Sequence, residues 1–221
     1  EGGGDAREVL RWGGSYNSGR ALDDRCTFTS AAGPHEDMPV NCVQWNPARS
    51  YCEKRGGGLP TEAQFEYAAS GLAGRTFVWG EDSPTCADAV WGRGWPSMGL
   101  EARSILCKPE KAGPGPLPAD SSENPRRLDR LEMPTGTVLD LVGNVAEHLL
   151  DAYIEPETEC WLKAGILRDP ICAVGGPKVP TVFRSTSWLW GWQSGMATSR
   201  GKLDPGQSAI TLGFRCARPG T

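Results

Sequence analysis

His35 and His148 are the only histidines in the chain. A three-histidine metal site therefore cannot form within it, nor a two-histidine iron site that needs a further histidine as base. The eight cysteines are the other reactive groups. Their spacing is irregular and contains no Cys-x-x-Cys pair, which disfavours zinc and favours disulfides. An even number in a loop-rich, acidic chain points to an oxidising compartment: secreted, periplasmic or cell surface. Gly56-Gly57-Gly58 runs into Leu59-Pro60, not into a helix opening with Lys and Ser or Thr, so no P-loop is present. A Gly-x-Ser-x-Gly nucleophile elbow is also missing. The remaining concentration of unusual residues is Leu189-Trp190-Gly191-Trp192-Gln193, an aromatic run of the kind found at interface hot spots.

The elements that must position these residues are short. Val40 to Trp45 alternates and predicts a strand. Asn46-Pro47 predicts a helix start, with the helix running from Ala48 to Lys54 and stopping at Gly56. Thr61 with Gln64 three residues later is a capping-box pattern, predicting a helix from Glu62 to Ala69. Phe77 to Gly80 is a short extended piece ending in a turn. Residues 81–134 are proline-rich and predict mostly loop, which at that length is functional or pinned covalently. His35 falls in a turn, and His148 is expected on the surface of a helix. Val182 to Arg184 and Leu212 to Cys216 predict the last strands. Residues 1–38 are irregular, and 39–221 read as one domain.

The composition agrees. Glycine and proline, at 29 and 18 of 221 residues, make up about a fifth of the chain against roughly 12% in average usage. Long helical bundles are excluded. Nine tryptophans argue against disorder. The formal net charge of −4 gives no basic face for nucleic acid. No segment offers the roughly 20 apolar residues of a membrane span. The best, Val138 to Leu150, is interrupted by Asp140, Gly143, Asn144 and Glu147. Glu1 to Leu10 shows no signal-peptide pattern.

Four stretches, in order, carry a resemblance. They are Pro39-Val-Asn-Cys-Val-Gln-Trp-Asn-Pro-Ala-Arg-Ser-Tyr-Cys52, Gly58-Leu-Pro-Thr-Glu-Ala-Gln-Phe-Glu-Tyr-Ala68, Asp140-Leu-Val-Gly-Asn-Val-Ala-Glu147 and Leu212-Gly-Phe-Arg-Cys-Ala217. Together they resemble the formylglycine-generating-enzyme family, the sulfatase-modifying-factor domain. The resemblance implies an α+β, C-type-lectin-like fold with little regular structure and long disulfide-pinned loops. The strands that normally precede the Pro-Val segment are not recognisable in residues 1–38, so a partner chain or self-association is expected to complete the sheet.

Enzymes of that family bind copper(I) through two cysteines lying between an Arg-Gly-Gly-Ser-Trp-like strand and the terminal Leu-Gly-Phe-Arg-Cys. Here the matching stretch is Arg184-Ser-Thr-Ser-Trp-Leu-Trp-Gly-Trp-Gln-Ser-Gly-Met-Ala-Thr-Ser-Arg200, which contains no cysteine. Copper is not expected, and no residue is assigned a catalytic role. The resemblance implies a Cys52–Cys216 disulfide. Among the remaining six cysteines, chain proximity favours Cys26–Cys42, Cys86–Cys107 and Cys160–Cys172 out of fifteen pairings. The resemblance further implies a structural calcium ion held by Asp140, Gly143, Val145 and Glu147, hard oxygen donors suited to that ion. A second family calcium site would fall near Ala89 and Val90, where Ala89 supplies no side-chain ligand. Trp188 matches the family's core tryptophan. Trp190, Trp192, Gln193 and Arg200 are then the candidate surface for a protein, peptide or glycan. The expected function is a non-catalytic extracytoplasmic binding or assembly module. The alternatives are an active copper-dependent oxidase or related enzyme, or a structural subunit of a cell-surface assembly or filament.

Overall fold

The computed structural model describes residues 25–28, 32–71, 73–94, 107, 114–119, 121, 128–134, 136–162 and 169–218. Most of the sheet-completion expectation, which rests on residues 1–38, lies outside the described residues.

Helix α1 (Trp45–Lys54) opens three residues earlier than expected, and the strand predicted over Val40–Trp45 does not form. Cys42 sits at φ +58°, a left-handed conformation that breaks an extended run, and only Asn41 makes a strand-like bridge, to Gly213. Asn46 is inside the helix and Gln44 precedes it without a side-chain cap. Pro47 falls in the first turn, where its missing N–H would have had no helical partner. Helix α2 (Glu62–Ser70) carries the full capping box: Gln64 N–H donates to Thr61 Oγ1 at 3.1 Å and Thr61 N–H to Gln64 Oε1 at 3.0 Å. Gly71 ends it at φ +64°.

A hairpin of β1 (Leu131–Met133) and β2 (Gly136–Val138) stands within and just after the region expected as loop. The central sheet has the order β5 (Gly201–Leu203), β4 (Thr181–Arg184), β3 (Ala146–Ala152), β6 (Leu212–Gly213). β3 lies antiparallel to β4 and parallel to β6. It corrects the helix expected at His148. Six of its seven residues are buried, so both faces are covered and the alternation that marks a half-exposed strand is lost. His148 is fully buried, with Nε2 2.9 Å from the Val43 carbonyl. Burial pushes its pKa down to about 4, so the ring is neutral at pH 7.

Loops this long need internal partners for their backbone groups, and two fully buried asparagines supply them. Asn144 donates to the Leu117 carbonyl at 2.8 Å, accepts from Leu117 N–H at 3.0 Å, and through its own backbone N–H reaches Val90 O at 2.7 Å. Asn41 ties residues 25–27 to the end of the chain, donating to Arg25 O at 2.8 Å and Ile210 O at 2.7 Å. Gly143, at φ +95°, is required where it stands: a Cβ there would lie 2.4 Å from the Val90 carbonyl oxygen. Trp45 and Trp188 anchor the core with no exposed surface, donating to Leu149 O at 2.6 Å and Ile210 O at 3.2 Å. All eight cysteines are paired, as Cys26–Cys42, Cys52–Cys216, Cys86–Cys107 and Cys160–Cys172. Cys52–Cys216 joins α1 to the C-terminal segment, and the other three close local separations of 16, 21 and 12 residues.

Candidate functional site

Strand β4 delivers Phe183 and Arg184, after which Ser185 takes φ +74° and turns the chain into the aromatic run. Ser185 is held there by the Gly143 N–H, which donates to its Oγ at 3.0 Å. A left-handed non-glycine residue costs about 1–3 kcal/mol, and such strain clusters at functional sites. The run then wraps around a cavity of about 300 Å³ lined by Phe183, Ser185, Trp190, Gln193, Arg200 and Gly201, among others. Three of the four candidate surface residues, Trp190, Gln193 and Arg200, thus meet in one place. The Trp190 ring lies 6.2 Å from that of Phe183 at 41°, giving two aromatic walls. Gly201 has no room for a side chain, since a Cβ would lie 2.1 Å from the Phe183 ring.

Trp192 does not join them. Its ring meets Phe77 edge-on at 5.9 Å, and Phe77 stacks on Trp79 at 4.9 Å, so Trp192 packs against the core. The 3₁₀ turn Trp192–Gly195 separates the two indoles that the sequence places two residues apart.

Arg200 is not a loose cation. Its guanidinium donates to both oxygens of Glu62 and, at 3.0 Å, to Ile154 O, and it covers the Tyr153 ring at 4.8 Å. Arg184, 3% exposed, donates to the same Glu62 at 2.6 Å and to Glu66 at 2.6 Å. Glu62, itself 4% exposed, is therefore neutralised by two arginines. Behind it Asp151, 1% exposed, accepts from the Glu62 backbone N–H at 2.7 Å. This buried network was not legible in the sequence. Its one signal is that Glu62 and Glu66 stand four residues apart on α2 (Glu62–Ser70), on one helix face.

Burial, reinforced by repulsion from Glu62, pushes the Asp151 pKa up from 3.8 to about 6, against the lowering effects of the Glu62 N–H and Arg184. The fold thus holds a proton that the unfolded chain has released between these two values. The stability so contributed is complete below about pH 4 and is lost as pH rises through about 6, a change of up to about 3 kcal/mol. Asp151→Asn should match the wild type at pH 4 and exceed its unfolding free energy at pH 7. The difference between the two denaturation series checks this and removes the opposing titration of His148. A difference that does not depend on pH would contradict it.

On the other side of Arg184 and Arg200 lies a second cavity, of about 460 Å³, walled by α2 (Glu62–Ser70) and the loop after β3. Ala63, Glu66, Tyr67, Pro156, Trp161 and Pro170 line it. None of these is among the candidate site residues that the sequence offers. Tyr67 lines it from α2 and Trp161 from beside the Cys160–Cys172 bridge.

In the Asp140–Glu147 loop, Asp140, Gly143 and Asn144 all have positive φ, which winds it tightly. Asp140 Oδ2 accepts from Asn144 Nδ2 at 3.1 Å. The helix expected to follow is β3, and Glu147 is 3% exposed rather than a surface acid. Both of its carboxylate oxygens accept from Arg215, whose guanidinium also donates to the carbonyls of Leu139 and Asp140 at 3.0 and 3.2 Å. No group of three or more His, Cys, Asp or Glu side chains is placed to hold a metal among the described residues. The donors suit calcium in kind, being hard carboxylate and carbonyl oxygens. A calcium ion would depend mostly on carbonyls and share Glu147 with Arg215. At the second expected calcium position the Val90 carbonyl is engaged by Asn144 N–H at 2.7 Å, and Asp88 Oδ2 accepts from Thr85 N–H at 2.7 Å.

The family model described as "Sulfatase-modifying factor enzyme 1-like domain" matches residues 15–219. The chain is 28% identical over 212 residues to "Inactive C-alpha-formylglycine-generating enzyme 2" of Bos taurus, covering 88% of this chain and 56% of that protein. The Mus musculus protein of the same name is 28% identical over 193 residues, 82% of this chain and 49% of its own. The chain thus spans about half the length of these curated relatives. Among solved structures, "Treponema denticola variable protein 1" shares the fold with a TM-score of 0.54 at 19% identity, over 87% of this chain and 76% of that one.

Proposed function

Because this chain belongs to the sulfatase-modifying factor enzyme 1-like family, we propose that it is a non-catalytic member, a binding module that takes a peptide or glycan ligand at the Trp190 cavity. The observation that carries this reading is the state of the cysteines. The stretch from Arg184 to Arg200 has none, and all eight elsewhere are locked in disulfides. No thiolate is left as a ligand for copper(I), which needs such soft donors. What occupies the same stretch is a cavity with two aromatic walls, with Gln193 and Ser185 also in its lining. Four disulfides support an oxidising compartment, secreted, periplasmic or cell surface.

The test has two arms. Copper(I) titration combined with oxidation of a cysteine-containing substrate peptide should show neither stoichiometric binding nor formylglycine, and formation of formylglycine overturns the non-catalytic reading. Peptide and glycan arrays probed with the wild-type chain should yield a ligand whose affinity falls roughly tenfold or more on Trp190→Ala, as for a hot-spot aromatic. Unchanged affinity would move the site elsewhere.

Calcium is the structural ion we propose for the Asp140–Glu147 loop, held by Asp140, Glu147 and the carbonyls of Gly143 and Val145. When bound it would supply charge that fixes the loop. At a calcium concentration 100 times its dissociation constant, stabilisation would be about 2.7 kcal/mol, or about 5–10 °C in Tm for a chain of this size. Chelation should remove that increment, and Asp140→Ala should abolish the response. Equal melting in calcium and in chelator would dismiss the ion.

A further inference from the structure

We propose that the 460 Å³ cavity beside α2 (Glu62–Ser70) is a second binding site, separate from the Trp190 cavity, and that it takes the lysine or arginine side chain of an exposed segment of a partner protein. Its walls fit an aliphatic stem: the rings of Tyr67 and Trp161, with Pro156, Pro170 and Ala63. Its surroundings are unusually apolar for a surface. Tyr67 is 59% exposed, and Leu162 and Ile171, the neighbours of Trp161 and Pro170, are 67% and 36% exposed. Exposed large apolar groups are of the kind found at interaction sites.

The charge that faces outward is negative. Arg184 and Arg200 border the cavity, but Glu62 and Glu66 already neutralise them. The Glu66 side chain remains 43% exposed, and only its Oε2 is bonded among the described residues. Glu155, Glu157, Glu159 and Asp169 are all exposed on the loop that forms the opposite wall. In sequence that loop, 154–172, holds these four acids against Lys163 and Arg168. An anionic ligand would be repelled by this rim, and a neutral apolar one would leave Glu66 unused. A cation above or between aromatic rings gains further attraction.

Trp161 Nε1–H and Thr158 Oγ1 are buried and make no hydrogen bond among the described residues. A peptide carries the carbonyl acceptor that an indole N–H requires, in addition to the basic side chain. The Cys160–Cys172 bridge fixes the wall in advance, which lowers the ordering cost of binding.

The experiment uses the ¹⁵N-labelled full chain titrated with N-acetyl-lysine amide and N-acetyl-arginine amide, read at the Trp161 indole N–H resonance. N-acetyl-norleucine amide and N-acetyl-glutamate amide are the controls. The basic amides should give a saturable shift, and the norleucine amide should bind roughly tenfold more weakly, about 1.4 kcal/mol. Tyr67→Ala, at an exposed position, and Glu66→Gln should each weaken the basic amides similarly, while Trp190→Ala should bind them as the wild type does. No saturable shift overturns the proposal. So does norleucine or glutamate binding as well as lysine, or loss of binding in Trp190→Ala, which would place the amides in the other cavity. The Trp190 reading stands or falls independently, by its own array test.

Discussion

Replacing Arg184 with methionine is expected to lower the unfolding free energy by about 3 kcal/mol, the low end of the range for breaking a buried ion pair. The guanidinium has 3% exposure and donates to Glu62, Glu66 and the Ala197 carbonyl. Methionine keeps much of the volume and removes all of these donors. Glu62 then retains only Arg200 for its charge, and the Ala197 carbonyl loses a donor in a dry place. Arg200 moderates the loss, which is why the low end applies. Arg184→Lys should fall between the two, because an ammonium restores charge without the planar fork. Glu62→Gln combined with Arg184→Met should cost less than the sum of the single variants, since the Arg184–Glu62 pair is then lost only once. Urea unfolding at pH 7 with an unchanged m-value checks this. A cost below about 1 kcal/mol for Arg184→Met would mean that water reaches the network.

Removing the Cys52–Cys216 bridge should cost still more. It closes a separation of 164 residues, for which the chain-entropy account gives about 5 kcal/mol. In a chain of this size that corresponds to a fall in Tm of about 10–20 °C. Cys160–Cys172 spans only 12 residues, and the same account gives about 3 kcal/mol. The paired alanine variants should therefore rank in that order by calorimetry. The reverse order would show that native-state strain or denatured-state structure outweighs loop length. Cys52 is fully buried on α1 (Trp45–Lys54), against Leu59 and Trp45, so packing acts in the same direction.

The sequence by itself determined whatever depends on neighbours along the chain. Thr61 and Gln64 specify a helix start because both halves of a capping box lie within one turn. Gly71 specifies its end because a left-handed residue is cheap only without a Cβ. The lack of a cysteine between Arg184 and Arg200 is a property of composition, as is the low helix content that so much glycine and proline imposes. Three of the disulfides join cysteines at separations of 12 to 21 residues, short enough for proximity to point to them.

Only the tertiary structure decided the rest. β3 (Ala146–Ala152) looks helical in sequence because burial on both faces erases the period of two, and burial is set by what packs against a strand. His148 becomes a neutral core residue for the same reason. Trp190 and Trp192 are equivalent as letters, but the 3₁₀ turn between β4 and β5 sends one ring to Phe183 and the other to Phe77. Glu62 and Glu66 look like ordinary surface acids of a helix until Arg184 and Arg200, more than 110 residues away, close over them. Arg184 and Arg200 border both cavities, and charges distant in sequence must meet to be buried at all, because a single buried charge costs more than the fold can supply.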